Sequence, residues 1–457
     1  MKILKYITLL LLIFSISSCE NELEVVNEND LPNESGQETA TSIITKSDGL
    51  YKSWWITQHN VGDADNPSMM LWAASDVGSV SWGNWGMFDL SAEPRQAWNN
   101  NASYGNADAN RLYFESLYTL IANANLVIKA TKGELEGADG IVNLGVNKNQ
   151  AAAQAYFARG LAYGYISAFY DKAFLILDTT DLSLDAITLA EQTQAVYKDV
   201  LVQSLSDFDQ AINLCSNNFT VSPNFMPGST VVDNISLKKA INSYAARCMI
   251  FNPRNKTEND GVDWVKLENY AKNGITSDLT LSTVRHATSS ASDMSMSYRV
   301  FGNYWGRIDM RVIHMMDPNM PSRFPDSGLF TDLPNDGKAT SIDARLLTDF
   351  AYNPSNTFRA DRGYYHYSTY VNKRYPWGNY FFSDTPATDM YKSENDLMWA
   401  EAKARIGTDI SGAAALVNGS SRVTRGQLPP VAINKGEILD AISYERQIEL
   451  CLATFGI

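Results

Sequence analysis

Histidine and cysteine are scarce in this 457-residue chain, with four of each, and the scarcity removes several chemistries. His59, His286, His314 and His366 include no pair at helical ligand spacing, so nothing supports a histidine-built metal site. Beyond Cys19, the cysteines Cys215, Cys248 and Cys451 are odd in number, widely spaced and without a C-x-x-C. They imply neither a disulfide framework nor a zinc site, and Cys215 and Cys248 read as small buried hydrophobes on helical stretches. The motifs G-x-S-x-G, H-E-x-x-H, G-x-G-x-x-G and G-x-x-x-x-G-K-[ST] are missing, which removes the usual support for a hydrolase elbow, a zinc protease or a nucleotide loop. Asp332 to Asp343 resembles a calcium loop only loosely, because Pro334 takes a ligand position and the last position is Asp rather than Glu. No metal and no cofactor are implied. Basic residues number 37 against 51 acidic ones, a net charge of −14, and no Lys/Arg run occurs. That excludes a general nucleic-acid binder.

The chain also lacks any long apolar run except at its start. Lys2 and Lys5 precede the apolar stretch Tyr6 to Ile16, which is too short to span a bilayer and reads as a cleavable signal over 1–18. Ile16-Ser17-Ser18-Cys19 resembles a bacterial lipobox, so Cys19 is the expected site of lipidation, and acyl chains such as palmitate would hold the mature protein on a membrane. Glu20, Glu22, Glu24, Glu28, Asp30, Glu34 and Glu38 follow with no basic residue before Lys46, which predicts an extended acidic tether over 19–45. Such tracts resemble those of Bacteroidetes surface lipoproteins and point to the outer face. A merely polar tether is the other reading.

Helical periodicity organises the body, 46–457. Leu112, Leu117, Leu120, Ile121, Ala124 and Ile128 form an apolar stripe ending near Gly133. Further helices are expected over 151–170, 194–215, 237–251, 262–275, 394–407 and 435–452. Successive pairs with small residues at crossing points suggest tetratricopeptide-like helical hairpins. Two irregular territories, at about 60–109 and 277–389, interrupt them. Segments of that length inside a compact protein usually carry function. The fold class is therefore mainly α, with helix pairs packed against a loop-rich portion that carries a few short strands.

What is plentiful is aromatic: 10 Trp, 23 Tyr and 18 Phe. Trp72, Trp82, Trp85 and Trp98 concentrate in the first irregular territory, with Asp76, Asn84, Asp89, Asn99 and Asn100 interleaved. A sugar offers an apolar C–H face and a belt of hydroxyls, so its site needs flat rings beside amides and carboxylates. This segment has both. The other reading folds those rings into a satellite core. Tyr304 and Trp305 make a second candidate; Tyr364, Tyr365, Tyr367, Tyr370, Tyr375 and Trp377 make a third, whose partial alternation equally fits a half-buried strand.

These residues resemble the SusD/RagB family of nutrient-binding lipoproteins of Bacteroidetes. Phe114 to Asn125 is similar to the family's aromatic-x-x-x-Tyr-x-x-Ile-x-x-x-Asn helix. Arg159, Tyr163 and Phe169-Tyr170-Asp171 resemble the next helix and its turn, although Lys172-Ala173 replaces the usual ending with proline. Leu397 to Gly407, with Ala400-Glu401-Ala402, then Val417-Asn418, Arg422 and Arg425-Gly426, lead to Glu445-Arg446-Gln447-Ile448-Glu449-Leu450, which matches the Glu-Arg-x-x-Glu-Leu signature. Family members continue beyond it, whereas here Cys451 to Ile457 ends the chain. The expectation is a truncated reading frame whose last helix lacks a packing partner and exposes apolar surface.

The resemblance implies a non-enzymatic protein on the outer membrane, lipid-anchored through Cys19 and facing outward. It would bind a nutrient, a glycan above all, and deliver it to a TonB-dependent transporter of the SusC type. Trp72, Trp82, Trp85, Trp98, Tyr304 and Trp305 are then the expected ligand-binding residues. The alternatives are a surface glycoside hydrolase built on a carboxylate pair, and a peptide-binding or structural member of the same surface complex.

Overall fold

The structure, a computed structural model, describes residues 38–59, 67–80, 99, 101, 103–283, 306–327, 329–354, 365–374 and 385–451. Its helices are α1 (Ala40–His59), α2 (Pro67–Ala74), α3 (Ala107–Lys132), α4 (Lys148–Phe169), α5 (Ala186–Thr193), α6 (Tyr197–Leu214), α7 (Asn234–Phe251), α8 (Lys256–Asp260), α9 (Trp264–Lys272), α10 (Met310–Met316), α11 (Arg345–Thr348), α12 (Lys392–Ile406), α13 (Ile410–Val417) and α14 (Lys435–Glu449). The expected mainly helical fold is what is observed. The boundary drawn at 45 falls inside α1, whose buried Ile43, Leu50, Tyr51 and Trp54 make it a core helix. Among the described residues no helix is long and apolar enough to cross a membrane.

The largest core joins α1, α3, α4, α6, α7 and α9, with α4 buried along almost its whole length at the centre. Its small residues explain how. A side chain on Gly160 would lie 2.8 Å from the Phe208 ring, and one on Gly164 would lie 2.4 Å from Cys248 Sγ, so α6 and α7 approach α4 closely only because both positions lack a Cβ. Cys215 and Cys248 are free and buried, as expected of small hydrophobes, and burial pushes both thiols up to about 12. Helix α3 stops where the sequence predicts, at Gly133 in the left-handed conformation with φ 75°. The helix expected to start at 194 does not: Gln194–Val196 is a strand, and α6 begins at Tyr197.

Among the described residues the strands form two-stranded antiparallel ribbons. These are β1 (Gly78–Val80) with β7 (Gly306–Ile308), β2 (Glu136–Gly137) with β3 (Gly140–Ile141), β4 (Lys172–Phe174) with β5 (Gln194–Val196), β6 (Leu279–Thr283) with β10 (Thr385–Met390), and β8 (Phe350–Tyr352) with β9 (Tyr370–Asn372). The ribbons are short because the helices supply the cores; β1 with β7, β6 with β10 and β8 with β9 lie in or at the edges of the irregular territories.

The residues that carry the family resemblance are mostly internal fasteners. Arg159 on α4 is buried and holds Asp207 of α6 through two hydrogen bonds of 2.9 and 2.7 Å; it also donates to Asn125 and Asp178, both at 2.8 Å. Lys132 meets Asp178 at 2.5 Å. Tyr118 and Tyr163 donate to the carbonyls of Phe174 and Ile176, and Asn125 donates to Ile176 as well. The segment after α4 is thus clamped onto α3 and α4 by side chains from both. Burial alone would raise Asp178, but Lys132 and Arg159 outweigh it and hold the carboxyl below its ordinary range.

The C-terminal signature works the same way. Arg345, fully buried, donates to Asp343 and to Glu445, with Nη1 at 2.6 Å from the latter; Glu445 also accepts from Ser421 at 2.5 Å. Glu449 pairs with Arg374 at 2.8 Å and Arg425 at 3.1 Å. Arg446 reaches Glu401 on α12 at 2.6 Å. The apolar side of α14, including Ile438, Ala441, Ile442 and Ile448, is buried, which corrects the expectation that this helix exposes its apolar surface for want of a partner. Its partners are α12, α13 and the loop-rich portion within this chain.

Replacing one member of a buried network strands the others. Asp178→Asn is expected to cost about 3 kcal/mol at pH 7. Because the folded carboxyl lies below its unfolded value near 4, its contribution is complete above that pH and is lost as pH falls through the folded value, so the gap from wild type should close below about pH 4. Denaturant unfolding at several pH values checks this, and a gap undiminished at pH 3 contradicts it.

Candidate functional site

Two irregular territories meet on one ribbon. Gly78 pairs with Ile308, Ser79 with Arg307 and Val80 with Gly306. One face of this ribbon rests on an indole: a Cβ on Gly78 would lie 2.1 to 2.2 Å from ring atoms of Trp72, so only glycine lets the strand lie there. Ile308, on that same face, is buried in the second core beside Trp72, Val77, Val312 and Ile313. Strand alternation turns Ser79 and Arg307 to the opposite face.

Trp72, expected in the ligand site, belongs to that core instead. It is 2% exposed, and its indole N–H donates to the carbonyl of Cys451 at 2.9 Å. With its ring between Gly78 and the core, it offers no free face for a sugar; the satellite-core reading is the one observed for this ring. Trp82, Trp85, Trp98, Tyr304, Trp305 and the lipidation residue Cys19 lie outside the described residues. Of the third aromatic group, Tyr370 is buried and starts β9, so the strand reading holds for it; Tyr367 is buried in an isolated bridge to Asp309, Tyr365 is a half-buried turn residue, and Tyr364, Tyr375 and Trp377 lie outside the described residues.

The loose calcium-loop resemblance fails on chemistry. Asp343 accepts from Arg345 at 2.7 Å and from the Tyr444 hydroxyl at 2.8 Å, and these partners, against the opposing effect of burial, hold it below its ordinary range. Among the described residues no group of His, Cys, Asp and Glu is arranged to hold a metal ion. A cleft of about 480 Å³ runs beside α12 and α14, but Glu401, Arg405 and Arg446 line it as salt-bridged charges and no indole faces it. It does not suit a sugar face.

Sequence reading passed over Ser79 and marked Arg307 only as a neighbour of Trp305. Both are buried, and nothing in their local sequence distinguishes them from a polar strand. Their pairing follows from a register between strands more than two hundred residues apart, which periodicity cannot supply.

Trp72→Ala is expected to destabilise the protein by about 3–5 kcal/mol. Thermal and denaturant unfolding check this; a variant as stable as wild type contradicts the core assignment.

Residues 41–247 match the SusD-like_3 family, described as "Starch-binding associating with outer membrane". No curated protein matches the chain. Among solved structures, a SusD-like carbohydrate binding protein from Bacteroides vulgatus is similar with a TM-score of 0.61 at 15% identity, over 92% of this chain and 82% of that one. A SusD superfamily protein from Parabacteroides distasonis gives 0.60 at 13% identity, over 91% and 86%. A SusD-like carbohydrate binding protein from Bacteroides fragilis gives 0.59 at 15% identity, over 92% and 85%. At these identities the structures establish the fold. Together with the match over 41–247, whose reach includes the Asn125 and Arg159 fasteners, they support this chain as a SusD/RagB-family member.

Proposed function

We propose that the protein is a lipid-anchored, outward-facing binder of glycans that hands its ligand to a TonB-dependent transporter of the SusC type. The support for carbohydrate comes from the family description and from the ribbon register. Val80 and Gly306 are partners, and neighbouring strands lie about 4.8 Å apart. Trp82 follows Val80 by two residues in the sequence and Trp305 directly precedes Gly306. Trp82, Trp85, Trp98, Tyr304 and Trp305 are the proposed stacking residues; Trp72 is not among them.

Binding without cleavage is the proposed mechanism. Rings take the apolar faces, amides and carboxylates of the same stretches fix orientation, and the helical scaffold presents them. Several buried carboxylates of the described body are held by arginines, as Glu394 is by Arg247 at 2.6 Å and Glu445 by Arg345. The support for membrane attachment through acylated Cys19 is the lipobox Ile16-Ser17-Ser18-Cys19.

Screening the mature protein against oligosaccharides by calorimetry, with products analysed chromatographically, tests this reading. Trp82→Ala and Trp305→Ala are each expected to weaken the bound glycan about tenfold while leaving the melting temperature unchanged, and the glycan should be recovered intact. Unaltered affinity in both variants, or cleaved product that depends on one Asp or Glu, contradicts it.

A further inference from the structure

The face of α14 opposite the cleft lined by Glu401 and Arg446 carries a second depression, a groove of about 630 Å³. It is lined by Met315 and Met316 of α10, Ile342 of the loop before α11, Pro430 and Val431 of the segment before α14, and Tyr444 of α14 itself. Most of this lining is apolar, and it can be reached from solvent: Ile342 is 79% exposed. A single apolar side chain standing in water is ordinary, but one that belongs to an apolar groove marks a docking surface.

The groove is held in shape by hydrogen bonds. On either side of Ile342 the backbone is tied down: the Thr340 N–H donates to Asp317 at 2.7 Å and the Ala344 N–H to the Gly426 carbonyl at 3.0 Å. The proline-bearing segment is fixed by the Leu428 N–H on the Arg422 carbonyl at 3.1 Å and the Val431 N–H on Asn418 Oδ1 at 2.8 Å. Pro429 and Pro430 add two locked φ angles. Tyr444 is oriented by its hydroxyl, which donates to Asp343 at 2.8 Å. Little ordering entropy is lost on binding to such a surface, while the two methionines adapt to the side chain that enters.

The unpaired charge at this groove is negative. Glu437 and Asp440, three residues apart on α14, line it, are exposed, and form no ion pair with a described residue. The basic groups close by are engaged. Lys435 donates to the Arg405 carbonyl at 3.2 Å, and Arg422 donates to the Pro429 carbonyl at 2.9 Å and lies 3.6 Å from Glu445. Two unpaired carboxylates repel anionic lipid and disfavour a second copy of a chain whose net charge is −14. They favour a Lys or Arg beside whatever group fills the groove.

We propose that this groove docks a segment of a partner protein that inserts a large apolar side chain, with Lys or Arg beside it to meet Glu437 and Asp440. The contact is independent of the glycan-binding reading. Ile342 supplies the exposed apolar contact, and the two acids set which sequences are accepted.

A displayed library of random twelve-residue peptides, panned on the immobilised mature protein, tests this, with the retained peptides synthesised and their affinities measured by calorimetry. The expected peptides carry a large apolar residue flanked by Lys or Arg. Their affinity should fall about tenfold or more in Ile342→Ser and a few-fold in the Glu437→Gln, Asp440→Asn double variant, and raised salt should weaken the wild-type complex. Both variants should melt with wild type, because the substituted side chains are exposed. Should Ile342→Ser fail to fold, the double variant decides alone. No enrichment, retained peptides without basic residues, or affinities unchanged in the folded variants overturn the proposal. Sedimentation of the mature protein alone should show a monomer; a dimer abolished by Ile342→Ser would make a second copy the occupant and overturn the proposal as well.

Discussion

A charge buried away from water must find its opposite, and the attachment of the last described helix to the rest of the protein depends on that constraint. Glu445 and Glu449 on α14 have essentially no exposed surface. Their counter-charges all come from elsewhere in the chain: Arg345 from the loop-rich portion, Arg374 just after β9, and Arg425 from the turn following α13. Neither side can be buried alone without leaving uncompensated charge, at a cost of several kcal/mol per ion. Helix α14 and the loop-rich portion are therefore expected to dock together, and Arg446 carries the connection on to Glu401 of α12.

The same logic recurs at Arg159 and Arg247. Arg247 on α7 binds Glu394 of α12 and the carbonyl of Asp389 in β10, joining the large helical core to the ribbon that closes the second irregular territory. Tyr51 of α1 reaches Asp389 at 2.5 Å and Tyr244 of α7 at 2.7 Å, which brings the first helix into that junction. These charged fasteners hold the ends of the β6–β10 ribbon against the helical core. Arg307 is the contrast: it has the burial of a fastener among the described residues and no carboxylate to fasten.

Much of the scaffold is legible in the sequence because helices announce themselves locally. The stripe from Leu112 to Ile128, the stop at Gly133 and the small residues of α4 predict their structure from spacing alone, and all are found as expected. Gln194–Val196 is misread because Ala195 and Val196 extend a helical apolar pattern, while the partners at 172–174 are invisible without register. Helix α1 is missed because acidic residues ahead of Lys46 draw attention away from the buried Ile43, Leu50, Tyr51 and Trp54. In the candidate site, Trp72 looks like its neighbours Trp82 and Trp85 in composition; only the bare Gly78 pressed against it shows that its ring is structural. Motifs such as Glu-Arg-x-x-Glu-Leu mark the family correctly, yet what they encode is packing, so they identify the fold and say little about the ligand.

The most direct measurement of this account is a double-mutant cycle between Arg345 and Glu445, read by denaturant unfolding of wild type, Arg345→Met, Glu445→Gln and the double variant. Each single change should cost about 3 kcal/mol or more, and the double variant should cost less than their sum by about 2–3 kcal/mol, because the second substitution removes a charge already stranded by the first. Costs that add to within about 0.5 kcal/mol would contradict the claim that this buried pair couples the C-terminal helix to the loop-rich portion.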